Sequence, residues 1–125
     1  MKLRIFHLQQ DNENLFTKIF DMQSLKISLI EKKSPDGMCL QIIFEGMLTL
    51  QNAEQIKEKI TKASGEFDSF DFITQQVTAI DVSFLKIIKS FKDFLEKQGK
   101  KVNVKLDLPF DSERFLCNAG IIFPL

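Results

Sequence analysis

Hydrophobic residues recur at three- and four-residue steps between residues 83 and 97, and this spacing predicts the clearest helix in the chain. Its apolar members are Phe84, Ile87, Ile88, Phe91, Phe94 and Leu95. The positions between them are mostly lysine, aspartate and glutamate, as in an amphipathic helix. A short apolar strand that ends at Asp81 comes directly before the helix. The start of this helix offers free N–H groups and the positive end of the helix dipole, which suit an anion or an acidic partner.

The rest of the pattern predicts alternating strands and helices. Residues 25–31 alternate as a half-buried strand, and the turn residues Pro35 and Gly37 connect them to a more apolar run, residues 38–48. Further strands are predicted at 70–80 and 102–106, and a short last strand at 121–123. Helices are predicted at 53–63, with Asn52 as the N-cap, and at about 111–119. The order predicts an α/β fold with a mainly parallel sheet of four to five strands, an N-terminal β-hairpin and helices packed on the sheet.

Residues 1–24 are interpreted as an extension added to a domain of residues 25–125. Residues 1–8 partly alternate and are compatible with a strand. A following stripe at helical spacing predicts a short helix with Asn12 or Asn14 as its cap. The stripe consists of Leu15, Phe16, Ile19, Phe20 and Met22. We expect it to pack against the domain or against a second copy of the chain, which would make it a homodimer contact.

Charge and composition exclude several classes of partner. Seventeen basic residues balance seventeen acidic ones, so no basic field favours nucleic acid. The chain has no apolar run long enough for a signal peptide or a membrane span, which predicts a cytoplasmic protein with no direct membrane insertion. Cys39 and Cys117 each lie in an apolar run without metal-ligand spacing, and we interpret them as buried, reduced thiols.

The residues of the common catalytic sites are missing from the sequence. The one histidine, His7, lies in the extension, and the sequence contains no nucleophile elbow, P-loop or dinucleotide fingerprint. Asp68 and Asp71 are most simply solvated acids of a loop. We therefore expect no catalytic residues, no metal and no cofactor.

Three segments together resemble the STAS domain, the family named for sulphate transporters and anti-sigma-factor antagonists. GMLTLQNA at residues 46–53 is similar to the family's Gly-x-Leu-Asp-x-x-x-Ala segment. VTAIDVSFL at residues 77–85 is similar to its Val-x-x-(Ile/Met)-Asp-Ser-(Ser/Thr)-Gly-Leu segment. QGKKVNV at residues 98–104, followed by residues 114–116 and 120–121, matches the family's closing pattern. The resemblance implies a bacterial regulatory α/β domain that binds other proteins.

The resemblance also implies a phosphorylation switch, and this sequence departs from it at that point. In bacterial anti-sigma-factor antagonists, the residue after the aspartate is a serine that a partner kinase phosphorylates. Here that position is Val82, the motif glycine is Phe84, and the aspartate expected after Gly-x-Leu is Thr49. We therefore expect the usual switch to be absent. Ser83 retains a hydroxyl, which is more simply a helix-start residue than a phosphorylation site.

The candidate partner surface comprises the end of the 77–85 segment, the start of the following helix and the turn after the second strand of the hairpin. Its residues are Thr49, Asn52, Thr78, Asp81, Val82, Ser83, Phe84 and Lys86. Asp81 is interpreted as the N-cap of the helix, and contact with a cationic partner group is compatible with that role. An exposed Phe84 would serve as an interface anchor, and the nearby lysines form either a solvated face or a charged rim.

The sequence thus predicts a non-catalytic regulatory module that resembles anti-sigma-factor antagonists. Its expected partner is an anti-sigma or serine-kinase-type regulator, or another regulatory protein. Two alternatives remain open, an accessory subunit of a membrane transport ATPase complex and a small-ligand sensor. A transporter operon around the gene would favour the first of these alternatives, and a co-purified ligand would favour the second.

Overall fold

The computed structural model describes the backbone of residues 2–6, 14–35 and 37–108, and the side chains of residues 16–35 and 37–108. The strands are β1 (Lys2–Phe6), β2 (Asn14–Asp21), β3 (Leu25–Ser34), β4 (Gly37–Leu48), β5 (Ser69–Ile80) and β6 (Lys101–Leu106). The helices are a 3₁₀ turn (Leu50–Asn52), α1 (Ala53–Ala63) and α2 (Val82–Lys97). The predicted helix at 111–119, the strand at 121–123, His7 and Cys117 lie outside the described residues.

The described strands form one mixed sheet in the order β1-β2-β3-β4-β5-β6. The neighbours from β1 to β4 are antiparallel, and the pairs β4–β5 and β5–β6 are parallel. The prediction of a mainly parallel sheet of four to five strands is therefore wrong. β3 and β4 do pair as antiparallel neighbours, but they lie inside the sheet because β1 and β2 extend it beyond β3.

The prediction of a helix from the apolar stripe of residues 15–22 is also wrong, because residues 14–21 form β2. In β2, Phe20 is opposite Ile27 and Ile19 is opposite Ser28, so apolar side chains lie on both faces of the strand. This arrangement hides the alternation by which a strand is recognised in sequence. Phe20 packs against the core, and the Lys59 ammonium of α1 lies 4.4 Å from its ring centroid.

The core lies between one face of the sheet and the two helices. Its centre is aromatic: the ring centroids of Phe44 and Phe84 are 5.2 Å apart in an edge-to-face arrangement, and those of Phe44 and Phe72 are 6.4 Å apart. Alternate residues of β4 and β5 supply this layer, and the apolar stripes of α1 and α2 cover it. This packing fixes both helix starts relative to the ends of β4 and β5.

The prediction of a helix over residues 83–97 is confirmed to within one residue by α2. Gly99 ends it as expected, with a φ of +81° and an N–H that donates to the Glu96 carbonyl at 3.0 Å. No helix among the described residues has the length and apolar character needed to cross a membrane.

Replacement of Phe84 by alanine should lower the free energy of unfolding by about 3–5 kcal/mol, because the side chain is buried against Phe44 and its removal leaves a cavity. Urea unfolding of dilute protein measures this change. Phe94→Ala is the matched control on the same helix, where the ring is 56% exposed and the expected cost is below about 0.5 kcal/mol. Similar costs for the two variants would contradict the assignment of Phe84 to the core.

Candidate functional site

The carboxyl ends of β4 and β5 lie side by side, and this proximity builds the candidate site. The two strands are parallel, with Leu48 opposite Ile80 at the end of the register. The residues that follow each strand therefore meet at one edge of the sheet. On the β4 side these residues form the 3₁₀ turn that leads into α1, and on the β5 side Asp81 leads into α2.

The Asp81 carboxylate joins the β4–α1 connection to the β5–α2 connection. Its Oδ1 accepts a hydrogen bond from the Ser83 N–H at 2.9 Å, and its Oδ2 accepts one from the Leu50 N–H at 3.0 Å. The Asp81 N–H donates to the Leu48 carbonyl at 3.2 Å. The interpretation of Asp81 as the N-cap of α2 is confirmed. The contact with Leu50 adds a second role, because the same side chain holds the start of the 3₁₀ turn against the start of α2.

The buried side chain of Asn52 stabilises the same 3₁₀ turn. Asn52 was predicted to cap α1, but its side chain makes no capping hydrogen bond. Instead, its Nδ2 donates to the Met47 carbonyl at 2.7 Å and to the Ser24 Oγ at 3.2 Å. Asn52 therefore occupies the predicted N-cap position of α1, but its side chain closes the connection between β4 and α1 instead of capping the helix. It is 8% exposed and thus offers little surface to a partner.

The backbone at Gly46 explains why a glycine stands before this turn. Gly46 has a φ of +99°, and a Cβ built there would lie 2.5 Å from the Ser24 carbonyl oxygen. That close approach lets the Met47 N–H donate to the same carbonyl at 2.8 Å. The glycine therefore allows the end of β4 to lie close to Ser24, at a position where its pairing with β5 is irregular.

Phe84 does not belong to the partner surface that the sequence predicted. Its side chain is 1% exposed and packs edge-to-face on Phe44, so it is a core residue and cannot anchor a partner. The exposed apolar residue at the site is Leu50 instead, at 70% exposure. Sequence reasoning missed Leu50 because it continues an apolar run that reads as the end of a strand. The available signal was its position directly before the helix N-terminus.

The other predicted site residues lie around Asp81 with different degrees of exposure. Thr49 and Val82 are half-buried, and Val82 packs against the core. Ser83 is also half-buried. Thr78 on β5 and Lys86 on α2 are exposed, and Lys86 forms no ion pair with any residue that the structure describes.

A groove of about 530 Å³ runs between α1 and α2 and begins at this site. Leu50 and Ser83 lie at its start, and Lys86 lines it one turn further along α2. Its complete lining is Leu50, Ala53, Glu54, Lys57, Thr61, Ser83, Lys86, Ile87, Ser90 and Phe91. The groove combines apolar side chains with Lys86, which has no ion-pair partner among the described residues, and such a combination is typical of a surface for protein contacts.

Side chains that could bind a metal ion are not grouped in the described part of the chain. Residues 16–35 and 37–108 contain no group of three or more histidine, cysteine, aspartate or glutamate side chains that could hold a metal ion. Cys39 is buried and reduced, as predicted, with its Sγ 3.6 Å from the Asp71 Oδ2. Burial is the main reason that the pKa of the Cys39 thiol is raised, so the thiolate is disfavoured.

These elements, a mixed sheet with both helices packed on one face and an aspartate at the start of the second helix, define a STAS-like α/β fold. No protein-family model matches the chain, and a comparison with curated proteins also finds no match. Among solved structures, the chain is similar to the anti-sigma factor antagonist SpoIIAA in its unphosphorylated form. The TM-score is 0.50 at 17% identity, and the alignment covers 76% of this chain and 99% of the SpoIIAA chain.

Two crystal structures of Mglu, one of them of the native form, share part of the architecture. Their TM-scores are 0.48 and 0.47, at 15% and 18% identity over 62% and 64% of this chain. This chain spans 23% and 19% of the length of those two Mglu chains. The likeness to SpoIIAA, at its low identity, concerns the fold, and it confirms the STAS-like fold that the sequence predicts.

Replacement of Asp81 by alanine should lower the free energy of unfolding by about 2 kcal/mol, because two backbone N–H groups lose a charged acceptor. Chemical denaturation measures this change. Asp93→Ala is the control: it removes one exposed ion pair with Lys89 within α2, and the expected cost is below about 0.5 kcal/mol. Equal effects would show that Asp81 acts only as another surface carboxylate.

Proposed function

We propose that this chain is a non-catalytic regulatory module that binds another protein through the surface around Asp81. The observation that carries the proposal is the Asp81 carboxylate, which holds the turn at Leu50 and the start of α2 in one fixed arrangement. A surface that is ordered before binding loses less conformational entropy when a partner docks. The resemblance to anti-sigma-factor antagonists and the SpoIIAA-like fold support the same class of function.

The proposed binding surface differs in detail from the one that the sequence suggested. Leu50 supplies the exposed apolar contact, and Lys86 supplies an exposed positive charge on the neighbouring helix. Thr49, Thr78 and Ser83 supply polar groups around them. Asn52 and Phe84 support this surface from the interior, since both side chains are buried. We expect the partner to be a cytoplasmic regulatory protein of the anti-sigma or serine-kinase type.

We also propose that this module works without the phosphorylation switch of its structural relatives. Val82 occupies the position of the phosphorylated serine in the resemblance and has no hydroxyl to accept a phosphoryl group. Ser83 is a poor substitute, because its N–H lies 2.9 Å from the Asp81 carboxylate. A phosphate on Ser83 would add negative charge beside that carboxylate and repel it. Binding is therefore expected to depend on partner concentration rather than on phosphorylation.

Incubation with ATP and a serine kinase of the anti-sigma-factor type should leave the intact mass of the protein unchanged. Val82→Ser should restore an acceptor at the start of α2 and gain the mass of one phosphoryl group. Ser83→Ala serves as the control for modification at the neighbouring hydroxyl. A phosphoryl group on the unaltered protein that disappears in Ser83→Ala would contradict the proposal and move the switch to Ser83.

Leu50→Ser and Lys86→Ala should each weaken binding to a regulatory protein of this type by about tenfold or more, because each removes one of the proposed contacts. Titration calorimetry with the purified partner measures the affinity. Lys105→Ala is the matched control, since Lys105 is an exposed lysine on β6, away from the groove. Equal affinities for the unaltered protein and both site variants would reject this surface as the binding site.

A further inference from the structure

Glu45, near the end of β4, is a buried carboxylate that accepts no hydrogen bond from any residue that the structure describes. The residue is 9% exposed. Its one ion pair among these residues is with Lys26, whose Nζ lies 3.7 Å from the Glu45 Oε2, beyond hydrogen-bond distance. Burial has removed most of the water from this carboxylate, and the fold returns few contacts in exchange. Glu45 is therefore poorly stabilised unless a further donor contacts it.

A surface depression of about 450 Å³ has Glu45 in its lining. The turn between β2 and β3 forms one side of the depression, and the end of β5, with Gln76 and Thr78, forms the other. Both of these β5 residues are exposed. Thr78 also belongs to the proposed binding surface around Asp81. The depression is therefore continuous with that surface.

The pairing of β4 with β5 is irregular at the same point. One residue of β4, Glu45, lies opposite two residues of β5, 75 and 76, which makes a β-bulge. Gln76 in this bulge has a φ of +49°, and it is the one non-glycine residue with a positive φ in the described part of the chain. Bulges and strained backbone of this kind are concentrated at functional sites. The strained residue, the bulge and the buried carboxylate thus coincide at one depression.

The chemistry of the depression favours a guanidinium group. Glu45 contributes a carboxylate, and Gln76 and Thr78 contribute an amide and a hydroxyl group to the same lining. A guanidinium is planar, carries five N–H donors and pairs with a carboxylate through two parallel hydrogen bonds. It is also more weakly hydrated than an ammonium, which suits a buried partner. The side chain of Lys26 is 41% exposed, so it can turn toward water when a second cation pairs with Glu45.

We infer that the depression at Glu45 binds the guanidinium group of an arginine side chain from the regulatory partner. The source of the arginine rests on the proposed function, whereas the affinity of the depression for a guanidinium does not. The depression shares no residue with the groove between α1 and α2. A partner that spans both presents an acidic group to Lys86 and an arginine to Glu45. Opposite charges at two separate points fix the orientation in which the partner docks.

Titration of the full chain with acetyl-arginine-amide, followed by nuclear magnetic resonance, tests the site without any partner. The amide signals of Gly46, Gln76 and Thr78 should shift, with a dissociation constant in about the millimolar range. Acetyl-citrulline-amide, which has a similar shape but no charge, should bind about tenfold more weakly or not at all. Glu45→Gln should weaken binding of the capped arginine by about tenfold or more. Glu66→Gln is the matched control, because it removes an exposed carboxylate outside the depression.

Three outcomes of this titration overturn the inference. One is the absence of shifts at these amides in tens of millimolar capped arginine. Another is an equal affinity of the unaltered protein and Glu45→Gln, which would place the arginine elsewhere on the protein. The third is an equal affinity for the arginine and citrulline compounds, which would show that the Glu45 charge is not recognised. Unchanged amide signals in the core verify that each variant is folded.

Titration calorimetry with the purified regulatory partner tests the source of the guanidinium. Glu45→Gln should weaken partner binding by about tenfold or more, and Glu66→Gln should leave it unchanged. If the partner binds Glu45→Gln as tightly as the unaltered protein, the arginine does not come from the partner and the inference fails on that point. If no regulatory partner binds the unaltered protein, the proposed function fails, and the response to capped arginine still decides whether the guanidinium site exists.

Discussion

The arrangement of the candidate site depends on one carboxylate that accepts hydrogen bonds from two separate elements. Asp81 lies where the parallel strands β4 and β5 end together, and its two oxygens accept N–H groups from Leu50 and Ser83. A helix start leaves several backbone N–H groups without partners inside the helix. A single side chain here satisfies one such group in α2 and another in the turn before α1. The surface at this site is therefore determined by the parallel pairing of β4 and β5 as much as by the local sequence at the start of either helix.

The aromatic core holds this arrangement in place. Phe84 follows Asp81 by three residues and inserts below α2 against Phe44, so the first turn of the helix is attached to the centre of the sheet. In the STAS pattern that the sequence resembles, this position is a glycine. The substitution places a large side chain in the core and leaves the outer surface to Leu50 and Lys86. A phenylalanine in place of the motif glycine thus changes the packing beneath the site more than its exposed surface.

Some of these structural elements could be predicted from the sequence, and others could not. The period of α2, its cap at Asp81 and its end at Gly99 follow from local patterns, and all three are confirmed. β2 was not predictable in this way, because apolar residues on both of its faces imitate a helical stripe. The role of Asn52 was also hidden, since its partners Met47 and Ser24 become neighbours only because the chain at Gly46 lies against Ser24. Contacts between distant parts of the chain leave little trace in a local pattern.

The double role of Asp81 is tested most directly by amide hydrogen exchange at Leu50 and Ser83 in Asp81→Ala. The account predicts that both amides exchange faster than in the unaltered protein, by more than the loss of global stability measured at Ile42 in the core. Acceleration at Ser83 alone would contradict the account, because Asp81 would then be an ordinary helix cap with no hold on the turn at Leu50.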